Sequence, residues 1–413
     1  MWNHRRDSVP FSVTLTRRSG ALLLLTLAAA GVLALPYLDA LGFIVRAADL
    51  QGPAATMAAW RTTPFTREPL ISVPTRTGSV PARFYRPASG FSRTVLLMPG
   101  VHRDGIDEAR LAGLAEDLAS TGYGVLTIAA PDLQHFRITP LVTDVIEDAV
   151  AWAAADRGFA PDGKVGILGV SFSGGLSVVA AGRPSIRDKV AFVMSFGGHG
   201  DLARVMHYLC SGEVLGDLEG AKHSSAVLGA EHVGVHPPHD YGVAVVLLSL
   251  ADRVVPPDQV GPLSRGIDTF LLASSLALTD TAAATREFAR AREYAATLPE
   301  PSRTLMQHVN ARAVDKLGPL LFPIVDALDD EPRVMAMSPE QVPPPAAPVF
   351  LLHGAEDTVI PPVETMFLAA HLRGRTEVHA LLSGLITHAE VDRSAAFADV
   401  WTLTRFWREL MAN

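Results

Sequence analysis

The sequence predicts an α/β fold in which helices cover both faces of a mostly parallel sheet and a helical block is inserted into it. Short strands that are apolar throughout alternate with amphipathic helices between residues 94 and 198. This alternation is typical of a parallel sheet that is buried on both faces. It stops near residue 200 and returns after the proline-rich stretch 341–348. Two separate parts of the chain are therefore expected to build one sheet.

The composition indicates a globular chain and argues against a nucleic-acid partner. Of the 413 residues, 48% are apolar, which is ample for a large core. The net charge is −8, and no basic block follows the N-terminal residues. Cys210 is the one cysteine of the sequence, so an internal disulfide is excluded.

Residues 1–45 are predicted to form a transmembrane anchor or a signal peptide. Basic residues precede the uncharged run 21–38, namely Arg5, Arg6, Arg17 and Arg18. The arginines should stay in the cytoplasm, which places the remaining chain outside it, with the membrane as a partner. Three interpretations stay open: an anchor that continues to Val45, a signal cleaved after the alanines 28–30, or a helix buried in the globular domain.

The first part of the core is predicted at residues 46–200. A hairpin turns at Gly78, and the alternating elements follow it. Strands are expected at 94–100, 124–132, 164–169 and 189–198, and helices at 107–122, 139–158 and from 176 onwards.

The remaining chain divides into an insertion and a second part of the core. Residues 201–345 are predicted to be a helical cap, with 281–298 as its clearest helix. Residues 346–413 return to the alternating pattern. Strands are expected at 349–354 and 377–384, and helices at 364–372 and 394–410.

The stretch KVGILGVSFSGG at residues 164–175 carries the strongest functional signal. A strand, a tight turn and a helix place Ser171 on the turn, which is the context of a nucleophile elbow. Small residues on both sides let the chain turn sharply, and the following helix points its N-terminus at the serine.

With this motif the chain resembles the α/β-hydrolases of the serine esterase, lipase and dienelactone-hydrolase-like type, over residues 70–200 and 346–413. One departure is Ser173, which stands where the second glycine is usual and leaves Ser173 as an alternative nucleophile. The family's chain order is serine, acid, histidine. Asp357 and His388 match the acid and base positions, because each follows a late predicted strand. The resemblance implies that His388 takes the proton of Ser171 and that Asp357 orients the imidazole.

Two other carboxylates compete with Asp357 for the acid role. Glu356 is its neighbour, and Asp252 lies in LLSLADRVVPPDQV, which imitates LLHGAEDTVIPPVE. The apolar run before Asp252 also fits a buried helix of the insertion, and no strand with a histidine follows it at the right distance. Asp357 is therefore preferred.

The backbone amides of Phe172 and Val101 are predicted to form the oxyanion hole. Phe172 follows the nucleophile, and Val101 lies in MPGVH, in the loop after the predicted strand 94–100. His102 and Asp104 of the same loop are interpreted as solvated residues rather than as substrate ligands.

Other histidines are given structural roles. His232, His236, His239 and Asp240 lie close together in sequence, but their proline-rich loop lacks a second ligand cluster, so no metal is predicted. His199 is interpreted as a hydrogen-bonded loop histidine. No cofactor is expected.

The sequence therefore predicts a serine hydrolase that cleaves a small or acyl-chain carboxylic ester through an acyl-enzyme. Two alternatives remain open: a peptidase or amidase on the same fold, and a membrane-tethered binding protein without activity.

Overall fold

A computed structural model describes residues 17–224, 227–229, 234, 236–277, 279–386 and 397–413. Side chains are described in these ranges except at 17–30, 222–224 and 397–398.

An eight-stranded, mostly parallel sheet forms the centre of the described chain. Its strands are β1 (Phe65–Thr75), β2 (Gly78–Pro87), β3 (Thr94–Met98), β4 (Gly124–Ile128), β5 (Val165–Val170), β6 (Val190–Phe196), β7 (Val349–Gly354) and β8 (Val378–Ser383). Their order is β1-β2-β4-β3-β5-β6-β7-β8. Pairing is antiparallel for β1 with β2 and for β2 with β4, and parallel from β4 to β8. This order and direction are those of the α/β-hydrolase fold, so the predicted fold class is confirmed.

Helices precede, separate and follow the strands. In chain order they are α1 (Arg17–Ala47), α2 (Pro53–Ala59), α3 (Ala109–Ser120), α4 (Pro131–Gln134), α5 (Pro140–Ala155), α6 (Phe172–Ala181), α7 (Leu202–Ser211), α8 (Leu218–Ser224), α9 (Gly242–Ser249), α10 (Ala251–Val254), α11 (Pro257–Leu276), α12 (Thr281–Thr297), α13 (Ser302–Asn310), α14 (Val314–Val325), α15 (Pro332–Met335), α16 (Val363–Leu372) and α17 (Phe397–Met411).

Alternate residues of the central strands fill two apolar layers, one on each face of the sheet. Leu96 belongs to the layer that α5 and α6 cover, whereas Leu97 belongs to the layer that α3 and α17 cover. Every residue of β3 is buried. Burial on both faces explains why these strands lack the apolar–polar alternation of a half-exposed sheet. Because the strands are parallel, the loops after β3, β5, β6 and β7 meet at one edge.

The N-terminal segment packs partly against the globular core. Ala40, Phe43 and Ile44 of α1 are buried in the same layer as Trp407 of α17. The rings of Phe43 and Trp407 have centroids 4.4 Å apart. Within the described residues, no helix is both long enough and apolar enough to span a membrane. The prediction of a transmembrane anchor or signal peptide at residues 1–45 is therefore not supported, and the last turns of this segment are part of the core.

Between β6 and β7 the described chain is helical, apart from turns and one isolated bridge to β8. The apolar run before Asp252 forms the helix α9, in which residues 242–248 are buried. The interpretation of that run as a helix rather than a sheet strand is correct. The ends of this helical block are joined to the core by Arg204, whose guanidinium contacts Glu364 of α16 at 2.5 Å and Glu340 at 2.7 Å.

Candidate active site

Ser171 lies on the sharp turn between β5 and α6. Its backbone has φ 58° and ψ −134°, a conformation that a non-glycine residue rarely adopts. Such backbone strain costs about 1–3 kcal/mol and is concentrated at functional sites. The Ser171 N–H donates to the Phe196 carbonyl at 2.7 Å, which fixes the turn to the end of β6. The serine is thus held half-exposed at the carboxyl edge of the sheet.

The turn requires glycine at position 169. A β-carbon added there would lie 2.3 Å from the Ser173 carbonyl oxygen, which is far inside contact distance. The first glycine of the motif therefore lets the first turn of α6 pass directly over the end of β5.

The hydroxyl of Ser173, the alternative nucleophile, is bound to the backbone. Ser173 is fully buried. Its Oγ accepts the Val170 N–H at 2.9 Å and lies within donating distance of two carbonyls, that of Val170 at 2.8 Å and that of Met98 at 3.3 Å. A hydroxyl in this setting stabilises the turn from within, whereas the hydroxyl of Ser171 is the one on the strained and partly exposed residue.

The loop after β3 lies beside Ser171. A β-carbon added at Gly100 would lie 3.5 Å from the Ser171 Cβ, so the chain just before Val101 runs close beside Ser171. Phe172 is the first residue of α6, where the helix ladder offers its N–H no partner. The two predicted oxyanion donors therefore belong to backbone segments that flank the serine.

Asp357 lies after β7 and is 5% exposed. Its Oδ1 accepts the N–H groups of Val359 at 2.8 Å and Ile360 at 3.1 Å. Its Oδ2 is 3.4 Å from the His353 Nε2 and would lie 3.5 Å from a β-carbon at Gly197, just after β6. Two amide donors therefore fix the orientation of this carboxylate.

His353 is a residue of this region to which the sequence analysis assigned no role. It is buried in β7, where its Nδ1 lies 2.8 Å from the Thr365 Oγ1 and its Nε2 lies 2.9 Å from the Ile360 carbonyl. It therefore fixes the loop that carries Asp357. Its spacing of four residues from Asp357 is the signal that could have found it.

The base position, His388, lies outside the described residues. β8 ends at Ser383, paired with Gly354 at the end of β7, and the described chain continues to residue 386. The prediction for His388 stays a prediction.

The competing carboxylates occupy different settings from Asp357. Asp252 is exposed on the short helix α10 of the insertion, and Glu356 is exposed beside the buried Asp357. Neither has the burial or the paired amide donors of Asp357.

The helical insertion contacts the loop of Asp357. The His239 N–H donates to the Thr358 carbonyl at 2.8 Å. The Tyr208 hydroxyl donates to the His236 carbonyl at 3.0 Å. Burial, and then the negative charge of Asp357, raises the pKa of Tyr208, so this hydroxyl stays protonated and serves as a donor. The insertion therefore packs against the loop that carries Asp357.

His199 is fully buried below the insertion, as a hydrogen-bonded histidine. Its Nε2 donates to the Met337 carbonyl at 2.9 Å, and its ring centroid is 5.7 Å from that of Phe172. Burial lowers the pKa of His199, although the charges of Glu364 and Asp201 oppose this. The imidazole packs beside Phe172 at the start of α6.

The histidine-rich segment shows no metal site among the residues that can be described. His232 lies outside them, and no cluster of three potential ligands occurs in the described ranges. Asp240 instead pairs with Arg312 at 2.7 Å.

Comparison with known proteins adds structural neighbours. No family model matches the chain, and no curated protein matches it in sequence. It is similar to an esterase of Pyrococcus furiosus (12% identity, TM-score 0.40, covering 84% of this chain and 90% of that chain). It is also similar to a putative dienelactone hydrolase from Klebsiella pneumoniae (13% identity, TM-score 0.41, covering 84% of this chain and 98% of that chain). A third similar structure is brefeldin A esterase, a bacterial homologue of human hormone sensitive lipase (13% identity, TM-score 0.42, covering 90% of this chain and 80% of that chain). At these TM-scores the likeness carries no argument, and the fold rests on the strand order.

Proposed function

We propose that the protein is a serine hydrolase that cleaves carboxylic esters of small molecules. The observation that carries the proposal is the strained backbone of Ser171, at φ 58°, on the turn between β5 and α6. Strain of this kind persists only where the surrounding structure maintains it, and it presents the hydroxyl at the edge where the loops of the parallel strands meet.

In the proposed reaction Ser171 attacks the ester carbonyl while His388 takes its proton. Asp357 holds the imidazole in the correct tautomer and stabilises its charge. The N–H groups of Phe172 and Val101 bind the oxyanion of the tetrahedral intermediate. The alcohol leaves with a proton from His388, and an acyl-enzyme on Ser171 remains. Water, activated by His388, then releases the acid and restores the serine.

The apolar runs of the insertion do not support a preference for a long acyl chain. Residues 243–248 of α9 are buried in the core, and Leu317 and Leu321 of α14 are buried as well. These side chains stabilise the insertion. The proposal is therefore limited to small-molecule esters.

Removal of the Ser171 hydroxyl tests the proposed function. The Ser171→Ala variant should lose about 10⁴-fold or more in kcat on p-nitrophenyl esters, because the hydroxyl is the nucleophile. Ser173→Ala is the matched control: its hydroxyl binds backbone groups of the turn, so its removal should cost far less activity than the removal of the Ser171 hydroxyl. Equal activity of Ser171→Ala and the wild type would contradict the proposal.

An anilide series tests the bond type. An esterase should turn over p-nitrophenyl esters and leave p-nitroanilides of the same acid intact. Cleavage of both would assign the protein to the peptidases or amidases.

Export from the cytoplasm is a separate proposal. It rests on Arg17 and Arg18 before the uncharged run 21–38. Fractionation of cells that produce the full chain tests it, and recovery of all protein in the cytoplasm would refute it.

A further inference from the structure

We propose that His102 is a positioning residue that couples the helical insertion to the oxyanion loop, defined as residues 99–104. This inference rests on the proposed function and extends it. The insertion then acts on the chemical step itself, in addition to covering the site.

The coupling is a side-chain hydrogen bond between distant parts of the chain. The His102 Nε2 lies 2.8 Å from the Oγ of Ser275, in the last turns of α11. Both residues are half-buried, so water competes with this contact only partly. The contact joins the loop after β3 to the longest helix that is described in the insertion.

The local structure of the loop fixes the tautomer of His102. Its Nδ1 accepts the Asp104 N–H at 3.2 Å, so this nitrogen carries a lone pair in the neutral imidazole. The proton is then on Nε2, which donates to Ser275. The Asp104 carboxylate lies 3.9 Å from the Nδ1 and is the charged group facing the ring. One side chain thus closes a turn of the loop and also binds the insertion.

Further hydrogen bonds hold the carbonyl groups of the loop. The Gly105 N–H donates to the His102 carbonyl at 3.1 Å, and the Gln134 side chain donates to the Arg103 carbonyl at 3.2 Å. A β-carbon added at Gly100 would lie 3.5 Å from the Ser171 Cβ, so this part of the loop runs close beside Ser171. Val101 lies between Gly100 and His102, so the direction of its N–H depends on how both neighbours are held.

A small displacement of an oxyanion donor has a measurable effect on rate. Loss of a whole donor costs about 10²–10³ in kcat. Loss of the tether leaves the donor present and less well oriented, so a reduction of about 5-fold to 30-fold is expected, below the range for a lost donor. The effect should fall on kcat, because the donor binds the transition state more strongly than the substrate.

Four single variants of the full chain and one double variant test the tether. Ser275→Ala and His102→Asn both remove it, and asparagine keeps an acceptor near the position of Nδ1. His102→Gln places an N–H donor near the position of Nε2 and should lose less activity than His102→Asn. Ser274→Ala is the matched control, because the Ser274 hydroxyl bonds within its own helix, to the Phe270 carbonyl at 3.1 Å.

The readouts separate positioning from mere stability. For each variant kcat and KM on a p-nitrophenyl ester, the Ki of an alkylboronic acid and the Tm are measured. The boronic acid forms a tetrahedral adduct on the serine and reports on the oxyanion hole. The expected result is a lower kcat with an unchanged KM and a parallel rise in Ki for Ser275→Ala and His102→Asn. Their double variant should lose no more than either single variant.

Two results would count against the inference, and they are distinguishable. If the wild type is active and Ser275→Ala matches Ser274→Ala in kcat and Ki, the tether has no role and the proposed function stands. If the wild type neither hydrolyses esters nor binds the boronic acid, the proposed function fails and the inference fails with it.

Discussion

At the scale of single residues, Ser171 shows which features of the site can be predicted from the sequence. Its type and its place between a strand and a helix could be predicted from the sequence, because the elbow needs small residues at fixed positions. The role of Ser173 could not be predicted, since its hydroxyl lies near a carbonyl of Met98, 75 residues away in the chain. The contact of His102 with Ser275 spans 173 residues and has no local signal.

Asp357 carries a prediction at this scale. Asp357→Asn should keep the acceptor for the amides of Val359 and Ile360 and lose the charge that orients the base. We expect kcat on p-nitrophenyl esters to fall by about 10⁴-fold, as for other triads with the wrong imidazole tautomer. The Tm should change little.

Asp252→Asn is the control for this substitution. Asp252 is exposed on α10, and its removal should leave kcat unchanged. The reverse pattern, with Asp252→Asn inactive and Asp357→Asn active, would assign the acid to the insertion.

At the scale of elements, most strands follow directly from their apolar runs. β7 is predicted at 349–354 and found at Val349–Gly354. α6 differs, because it begins at Phe172, whereas the sequence predicts a helix from 176 onwards. Gly174 and Gly175 are poor helix formers, which conceals the first turn in the sequence. A β-carbon at Gly174 would lie 2.6 Å from the Ser195 Oγ, and one at Gly175 would lie 2.5 Å from the His199 ring. Close packing of α6 on β6 therefore overrides helix propensity.

The joint between α7 and α16 carries a prediction at this scale. Arg204 binds Glu364, which is fully buried, and Glu340. Arg204→Ala would leave the buried carboxylate of Glu364 and the partly buried carboxylate of Glu340 without their cation, which costs about 3–5 kcal/mol in the free energy of unfolding. Urea unfolding measures this loss.

A surface ion pair provides the comparison for Arg204. Arg253 pairs with Glu331 while 39% exposed, so Arg253→Ala should cost about 1 kcal/mol or less. Equal costs for the two substitutions would contradict the role assigned to the buried joint.

At the scale of the whole molecule, the N-terminal helix is where the sequence pattern and the structure differ most. A basic flank and an uncharged run have the composition of a membrane or export segment. Composition does not reveal that Phe43 and Ile44 are buried in one apolar layer with residues of α17. Trp407 of that helix lies more than 360 residues further along the chain. The sequence predicts a mostly parallel sheet but not the order of its strands. The pairing of β2 with β4, for example, depends on contacts between strands that are not consecutive in the chain.

Truncation tests the packing of α1. A chain that begins at residue 46 lacks the buried side chains of Phe43 and Ile44 and should lose about 3–6 kcal/mol of stability. A chain that begins at residue 31 keeps them and should retain the Tm of the full protein. An equal Tm for the two truncated chains would show that α1 adds nothing to the core.

The nucleophile is the central claim, and covalent labelling tests it most directly. The full-length protein is treated with a fluorophosphonate, digested, and the modified peptide is sequenced by mass spectrometry. One adduct is expected, on Ser171, and none in Ser171→Ala. An adduct on Ser173 or another serine, or no adduct on a protein that hydrolyses esters, would contradict it.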